Sequence, residues 1–277
     1  MNVLEFTLVV WAGSLAAGLL GALTGLGGGV VIVPFLLALS VDMRYAIGAA
    51  LVSVIATSSG AAAAYVREGF SNVRVAMLLE VATALGALSG AVLAASVRTD
   101  LIAIVFGLVL IASAWQSWRG GPADHLAATP DPWATRLRLD STYPTGDGLR
   151  AYHVQRVGTG FGLMYGAGVL SGLLGIGSGA VKVLAMDRAM RLPFKVSTTT
   201  SNFMIGVTAA ASAGVYLRRG YIDPGLAMPV MLGVLAGSML GATLLTRASS
   251  SRLRQVFALV VLALGLEMLF NGLTGRL

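Results

Sequence analysis

The sequence predicts an all-α integral membrane protein built from two inverted repeats of about five helical segments each. Three observations carry that expectation: a scarcity of charge, a series of apolar stretches of membrane-spanning length, and an internal repeat. Of 277 residues, 56% are hydrophobic and only 11% charged, whereas a soluble domain carries about 25% charged residues. A soluble fold of this length needs a polar skin, and these charges are too few to make one. Thirty-six glycines in so apolar a chain fit membrane helices, where small residues let backbones approach closely.

The formal charge of +7 fits the tendency of arginines to collect in cytoplasmic loops. No basic run is long enough to track phosphates, so nucleic acid is not an expected partner. Without cysteine, disulfides, zinc–thiolate sites and thiol chemistry are excluded. Two histidines, His125 and His153, make no histidine-rich metal centre, so neither a metal nor a cofactor is expected. The first five residues carry no Lys or Arg and so lack the basic start of a secretory signal; the first apolar stretch is read as a retained transmembrane segment.

The apolar stretches run over residues 6–23, 28–41, 45–66, 73–97 and 101–118, and then over 157–174, 179–190, 196–217, 224–246 and 253–273. A spanning helix needs about 20 residues, and most of these qualify. The second and seventh are shorter, and each follows a glycine-rich break. At an offset of 151 residues Thr57 meets Thr208, Tyr65 meets Tyr216, Arg67 meets Arg218, Gly69 meets Gly220, Gly86 meets Gly237 and Gly90 meets Gly241. One residue out of that register, Gly25, Gly27 and Gly29 meet Gly175, Gly177 and Gly179. The Tyr-x-Arg-x-Gly and Gly-x-Gly-x-Gly pairs carry the repeat, because Ala/Gly/Leu matches alone mean little.

If all ten stretches cross, 13 basic residues fall on one side and 5 on the other; if the two short ones do not reverse the chain, the split becomes 10 to 8. The positive-inside bias favours ten crossings with both termini outside. Five crossings per half then invert one half relative to the other, as in many secondary transporters. The chain divides into a first transmembrane repeat (1–118), a cytoplasmic insertion (119–156) and a second transmembrane repeat (157–277). Within the insertion, Pro144-Thr145-Gly146-Asp147-Gly148 reads as the turn of a small hairpin. Its bland reading is an ordered linker; its functional one is a regulatory or partner-binding element.

Candidate chemistry begins at the breaks, Gly25-Leu26-Gly27-Gly28-Gly29 and Gly175-Ile176-Gly177-Ser178-Gly179. Neither has the Gly-Lys-Ser/Thr of a phosphate loop. Glycines allow the helix to break at membrane depth, and amides opening the next short helix carry about half a positive charge, suited to a small anion. We therefore assign substrate binding to Gly27, Gly28, Gly29, Gly177, Ser178 and Gly179, against the plainer account that they serve helix packing. Thr200, Ser201 and Asn202, with Ser53 and Thr57 on the matching segment, offer hydrogen bonds to an anion stripped of water. Each hydroxyl can equally bond a carbonyl one turn back. Charges inside apolar segments are functional candidates by default. Lys182 follows the second break by three residues; it either completes an anion site or pairs structurally with Glu80 or Asp187. Glu80, near the middle of its segment, is a candidate for ion coupling. No Ser/His/Asp set, paired carboxylates or metal-ligand spacing supports an enzyme.

Gly25 to Pro34 (Gly-Leu-Gly-Gly-Gly-x4-Pro), Gly175 to Lys182, Thr200 to Gly206 (Thr-Ser-Asn-Phe-Met-Ile-Gly) and the paired Tyr-x-Arg-x-Gly together resemble the TauE/SafE family of sulfite exporters, over nearly the whole chain. The resemblance implies a carrier in a bacterial or archaeal inner membrane that exports sulfite, organosulfonates or related small anions, with a duplicated fold and these motifs near its centre. The sequence departs from the family pattern at Ser178, in place of a third glycine, and at Leu184, where the position matching Pro34 usually holds proline. Both departures bear on substrate identity rather than membership. The expected partners are a small anion and the lipid bilayer, with homo-oligomerisation left open. The alternatives are an importer, a proton-coupled carrier of another solute, or a membrane scaffold acting through the insertion.

Overall fold

The apolar stretches form helices, and what interrupts them is glycine, proline or a cap. The computed structural model describes residues 2–24, 27–94, 96–118, 131–146, 148–175, 177–247 and 250–275. Gly25, Leu26, Asp147, Ile176 and the 119–130 part of the insertion, with His125, lie outside the described residues. The first half contains α1 (Val3–Thr24), α2 (Gly29–Ala38), α3 (Met43–Arg67), α4 (Val73–Leu93) and α5 (Thr99–Trp118). The insertion contributes a short helix, α6 (Pro132–Arg136), which the sequence reading did not foresee, and strands β1 (Ser141–Thr145) and β2 (Gly148–Tyr152). The second half contains α7 (Val157–Leu174), α8 (Gly179–Leu184) continued by one π-helical turn (Ala185–Ala189), α9 (Phe194–Arg218), α10 (Pro224–Arg247) and α11 (Ser250–Thr274).

Among the described residues, four helical stretches are long and apolar enough to cross a membrane: Val3–Leu23, Val73–Leu93, Val157–Leu174 and Pro224–Leu244. At 25 residues each, α3 and α9 are about 37 Å long at 1.5 Å per residue. Serines and threonines dilute their hydropathy, because they occupy the middle of the bundle, where Thr57, Thr198, Ser201, Asn202 and Thr208 are all buried. The outward faces are apolar instead. Met77, Val81, Leu85, Leu88 and Val92 form an exposed ladder along α4. Lipid covers such a surface; water does not.

Packing exchanges between the halves. Helix α1 packs on α10 as α7 packs on α4; α3 meets α10 as α9 meets α4; α3 meets α9, and α5 meets α11. Glycines set the closest approaches. Gly237 and Gly241 lie against the Leu15 and Leu19 carbonyls, and Gly86 and Gly90 against those of Tyr165 and Val169, so the same contact is made twice at equivalent positions.

At one end of the bundle the insertion contributes buried side chains of its own. Ala134, Leu139, Tyr152 and Val154 join Val75, Leu79, Met186 and Met190 in a continuous cluster. The strands pair antiparallel from Ser141↔Tyr152 to Thr145↔Gly148. Asn72 ties this piece down: its Oδ1 caps α4 by accepting from Val75 N at 3.1 Å, while Nδ2 donates to the Leu139 carbonyl and to Tyr152 OH, both at 2.8 Å. Burial pushes the Tyr152 phenol up to about 12, which keeps it protonated in that network at neutral pH.

Candidate functional site

The two glycine breaks come together between α3 and α9. In the first, Gly27 has φ +68° and Gly28 returns to helical angles (φ −51°) before α2 begins. In the second, Gly175 (φ +69°), Gly177 (φ +67°) and Ser178 (φ +50°) are all left-handed before α8. Glycine adopts such angles without penalty, whereas a residue with a Cβ pays about 1–2 kcal/mol. Ser178 therefore holds a strained position where its counterpart Gly28 does not.

The breaks share one contact pair. A Cβ on Gly27 would lie 2.6 Å from Ile205 Cδ1 and 3.4 Å from Val54 Cγ1; one on Gly177 would lie 2.8 Å from Val54 Cγ1 and 3.2 Å from Ile205 Cβ. Val54 and Ile205 are themselves equivalent positions of the repeat. One on Gly29 would sit 3.2 Å from the Gly175 carbonyl, so the first break touches the second. A side chain at Gly27 or Gly177 would have to move Val54 or Ile205.

Polar groups of α3 and α9 line this meeting point. Gly28 N donates to Thr57 Oγ1 at 3.3 Å, and Thr57 Oγ1 donates to the Ser53 carbonyl at 2.8 Å. Ser53 Oγ turns back to the Ala50 carbonyl at 2.7 Å, the ordinary helical alternative. Ser201 Oγ lies 3.4 Å from the Gly179 carbonyl, and Asn202 Nδ2 donates at 3.0 Å to the Ala22 carbonyl near the end of α1. Two buried acceptor-capable atoms at this centre, Ser178 Oγ and Asn202 Oδ1, have no hydrogen-bond partner among the described residues, and Thr198 Oγ1 on α9 is in the same condition. Buried polar groups are nearly always satisfied, so these atoms are available to accept hydrogen bonds.

Not every expected residue joins this group. Thr200 Oγ1 accepts from Asn72 N at 3.0 Å, which turns it towards the α3–α4 loop. Lys182 and Glu80 form a second cluster beside the breaks. Lys182 is fully buried and its Nζ donates to Thr208 Oγ1; Thr208 Oγ1 in turn donates to Glu80 Oε1 at 2.6 Å, and Lys182 Nζ is 3.8 Å from Glu80 Oε2. Gly177 packs on Ile205, and Thr208 lies almost one turn further along α9, so the lysine leans back towards the start of its own helix. Helical side chains point that way by geometry. The structure thus pairs Lys182 with Glu80, while Asp187 lies 3.8 Å from Arg188.

Thr208, which bridges Lys182 and Glu80, was not among the candidate site residues assigned from sequence. Its signal was present: it matches Thr57 at the repeat offset. The two threonines nonetheless differ, since Thr57 meets a break amide and Thr208 bridges an ion pair.

Comparison with known proteins agrees with this architecture. The family described as sulfite exporter TauE/SafE matches residues 10–268. The chain is similar to a probable membrane transporter protein, YunE, of Bacillus subtilis (strain 168), 24% identical over 98% of this chain and 99% of that one. It is similar also to a probable membrane transporter protein of Xylella fastidiosa (strain 9a5c), 26% identical over 98% and 97% of the two chains. A third relative, the probable membrane transporter protein YdhB of Bacillus subtilis (strain 168), is 25% identical over 91% and 95%. No solved structure matches. The match runs through both halves, the glycine breaks included, and the chain belongs to the TauE/SafE family of membrane transporters.

Proposed function

We propose that this protein is a secondary carrier that exports a small oxyanion, sulfite or an organosulfonate, across a bacterial inner membrane by alternating access. The observation that carries the reading is the meeting of two glycine breaks around Val54 and Ile205, with Ser178 Oγ and Asn202 Oδ1 buried beside them and without a hydrogen-bond partner among the described residues. Opening amides of α2 and α8 supply donors without side-chain bulk, which suits a ligand of a few heavy atoms. The family's description as sulfite exporters supports the substrate class and direction.

The exchange of contacts between halves supports an inverted repeat, in which each half adopts in turn the conformation of the other. In this reading all ten segments cross, both termini lie outside and the insertion is cytoplasmic. Gly27, Gly28, Gly29, Thr57, Gly177, Ser178, Gly179, Ser201 and Asn202 surround the anion; Ser53 and Thr200 support their helices. The test is labelled-sulfite counterflow in proteoliposomes, with sulfate, thiosulfate, sulfoacetate, taurine and phosphate as competitors. Saturable counterflow, competed by the true substrate, is the expected result. Flux no faster than in protein-free vesicles for every anion would defeat the proposal.

A further inference from the structure

The Glu80–Thr208–Lys182 chain buries an ion pair inside the bundle, which is costly, and anion binding at the breaks leaves it unused. It joins the two halves: Glu80 belongs to α4, Lys182 to α8 and Thr208 to α9. The Thr208 hydroxyl has one proton to give. Accepting from Lys182 Nζ and donating to Glu80 Oε1, it fixes both ends of the chain. Glu80 Oε2 is buried, 3.8 Å from the ammonium, and has no hydrogen-bond donor among the described residues. That oxygen is the free place for a proton.

Other charges on the neighbouring elements are engaged elsewhere or stand at exposed ends. Lys195 lies 5.5 Å over the Phe70 ring, Asp187 is 3.8 Å from Arg188, Arg98 holds Asp100, Arg219 donates to the Ala91 carbonyl, and Arg218 ends α9 in an exposed position. Among the described residues Lys182 is the charged group facing Glu80.

We infer that Glu80, Thr208 and Lys182 form a proton-coupling site, in which one proton taken up by Glu80 frees the Lys182 ammonium for the transported anion. This deepens the anion-carrier reading and rests on it. Charge accounting gives the mechanism. In the empty protein Glu80 carboxylate neutralises Lys182. With anion bound, a proton from water adds to Glu80 Oε2 and the anion neutralises the lysine. Both states are neutral inside the bundle. The two uncoupled states, a lysine with no counter-charge or a lysine facing two negative charges, bury net charge and are penalised. One proton therefore travels with each monovalent anion and leaves on the other side. The direction follows the combined proton and anion gradients.

Proteoliposomes with internal pyranine, their potential clamped by potassium and valinomycin, separate the two claims. Counterflow is read with labelled sulfite and labelled methanesulfonate, and proton movement with methanesulfonate, which stays a monoanion throughout. Wild type is expected to show counterflow, and an inward anion gradient is expected to acidify the lumen with one proton per anion. Glu80→Gln, a fixed mimic of the protonated acid, is expected to keep counterflow and lose at least tenfold of the anion-driven proton movement. Absence of counterflow for both probes in wild type overturns the carrier reading and this one with it. Wild-type counterflow without luminal acidification overturns the coupling alone, whether or not Glu80→Gln folds. Unchanged proton movement in Glu80→Gln does the same.

Discussion

Replacing Lys182 by methionine removes one charge from a buried pair and leaves its length and apolar stem nearly intact. Lys182 is fully buried, Glu80 is 13% exposed, and the two are held through Thr208. Removing one partner of a buried pair costs about 3–5 kcal/mol, because the other charge is stranded. Glu80 retains the Thr208 hydrogen bond and a little exposure, which places Lys182→Met near the lower end, about 3 kcal/mol. Glu80→Gln strands the ammonium and is expected to cost a similar amount. The double variant has no charge to strand, and replacing a whole pair is often close to neutral; it should lose about 1 kcal/mol. The coupling energy of the cycle is then about 5 kcal/mol, above the roughly 0.5–3 kcal/mol that contacting residues usually show, because each single change strands a buried charge. Equilibrium unfolding of the detergent-solubilised protein reads all four corners. The reasoning fails if Lys182→Met is as stable as wild type, or if the double variant loses the sum of the two single losses.

The glycine breaks give a second prediction: Gly177→Ala places a Cβ 2.8 Å from Val54 Cγ1 at φ +67°, should weaken anion-induced thermal stabilisation at least tenfold in apparent affinity, and should be partly rescued by Val54→Ala. Equal loss with and without Val54→Ala would deny the contact any role. For topology, cysteines at Ser71 and Ile222 are expected to react with an impermeant maleimide from opposite membrane faces; labelling from one face would remove the inverted repeat. At the insertion, Asn72→Ala removes the α4 cap and both bonds to the hairpin segment. A lost cap costs about 0.5–2 kcal/mol, and trypsin should then cut at Arg138 or Arg150 faster than in wild type. Unchanged cleavage would mean that the hairpin holds without Asn72.

How much of this was legible in the sequence depends on the range of the interaction. Apolar stretches mark helices through burial alone, and the Gly-x-Gly-x-Gly pairs mark the breaks, because a left-handed backbone demands glycine locally. A hairpin was legible around Pro144 to Gly148, but the strands run further than that stretch suggested, with Pro144, Thr145 and Gly148 inside β1 and β2. The end of α8 was not: it passes into a π turn over Ala185–Ala189, and no local residue announces it. Nor was the choice between Glu80 and Asp187 as partner of Lys182, which depends on how α4 and α8 are rotated against each other. Thr200 shows the limit most plainly. Its type suits an anion, yet its hydroxyl is taken by the Asn72 amide at 3.0 Å, a contact 128 residues away in the chain.

The central claim is that a small anion binds where the two breaks meet and crosses the membrane from there. Labelled-sulfite counterflow by wild type and by Gly177→Leu, reconstituted side by side, tests it most directly. A Cβ there already lies 2.8 Å from Val54 Cγ1 and 3.2 Å from Ile205 Cβ, so the leucine must displace them and obstruct the meeting point. Saturable counterflow in wild type, and none above protein-free vesicles in a Gly177→Leu protein that still folds, is the predicted result. Equal counterflow by the two would contradict it.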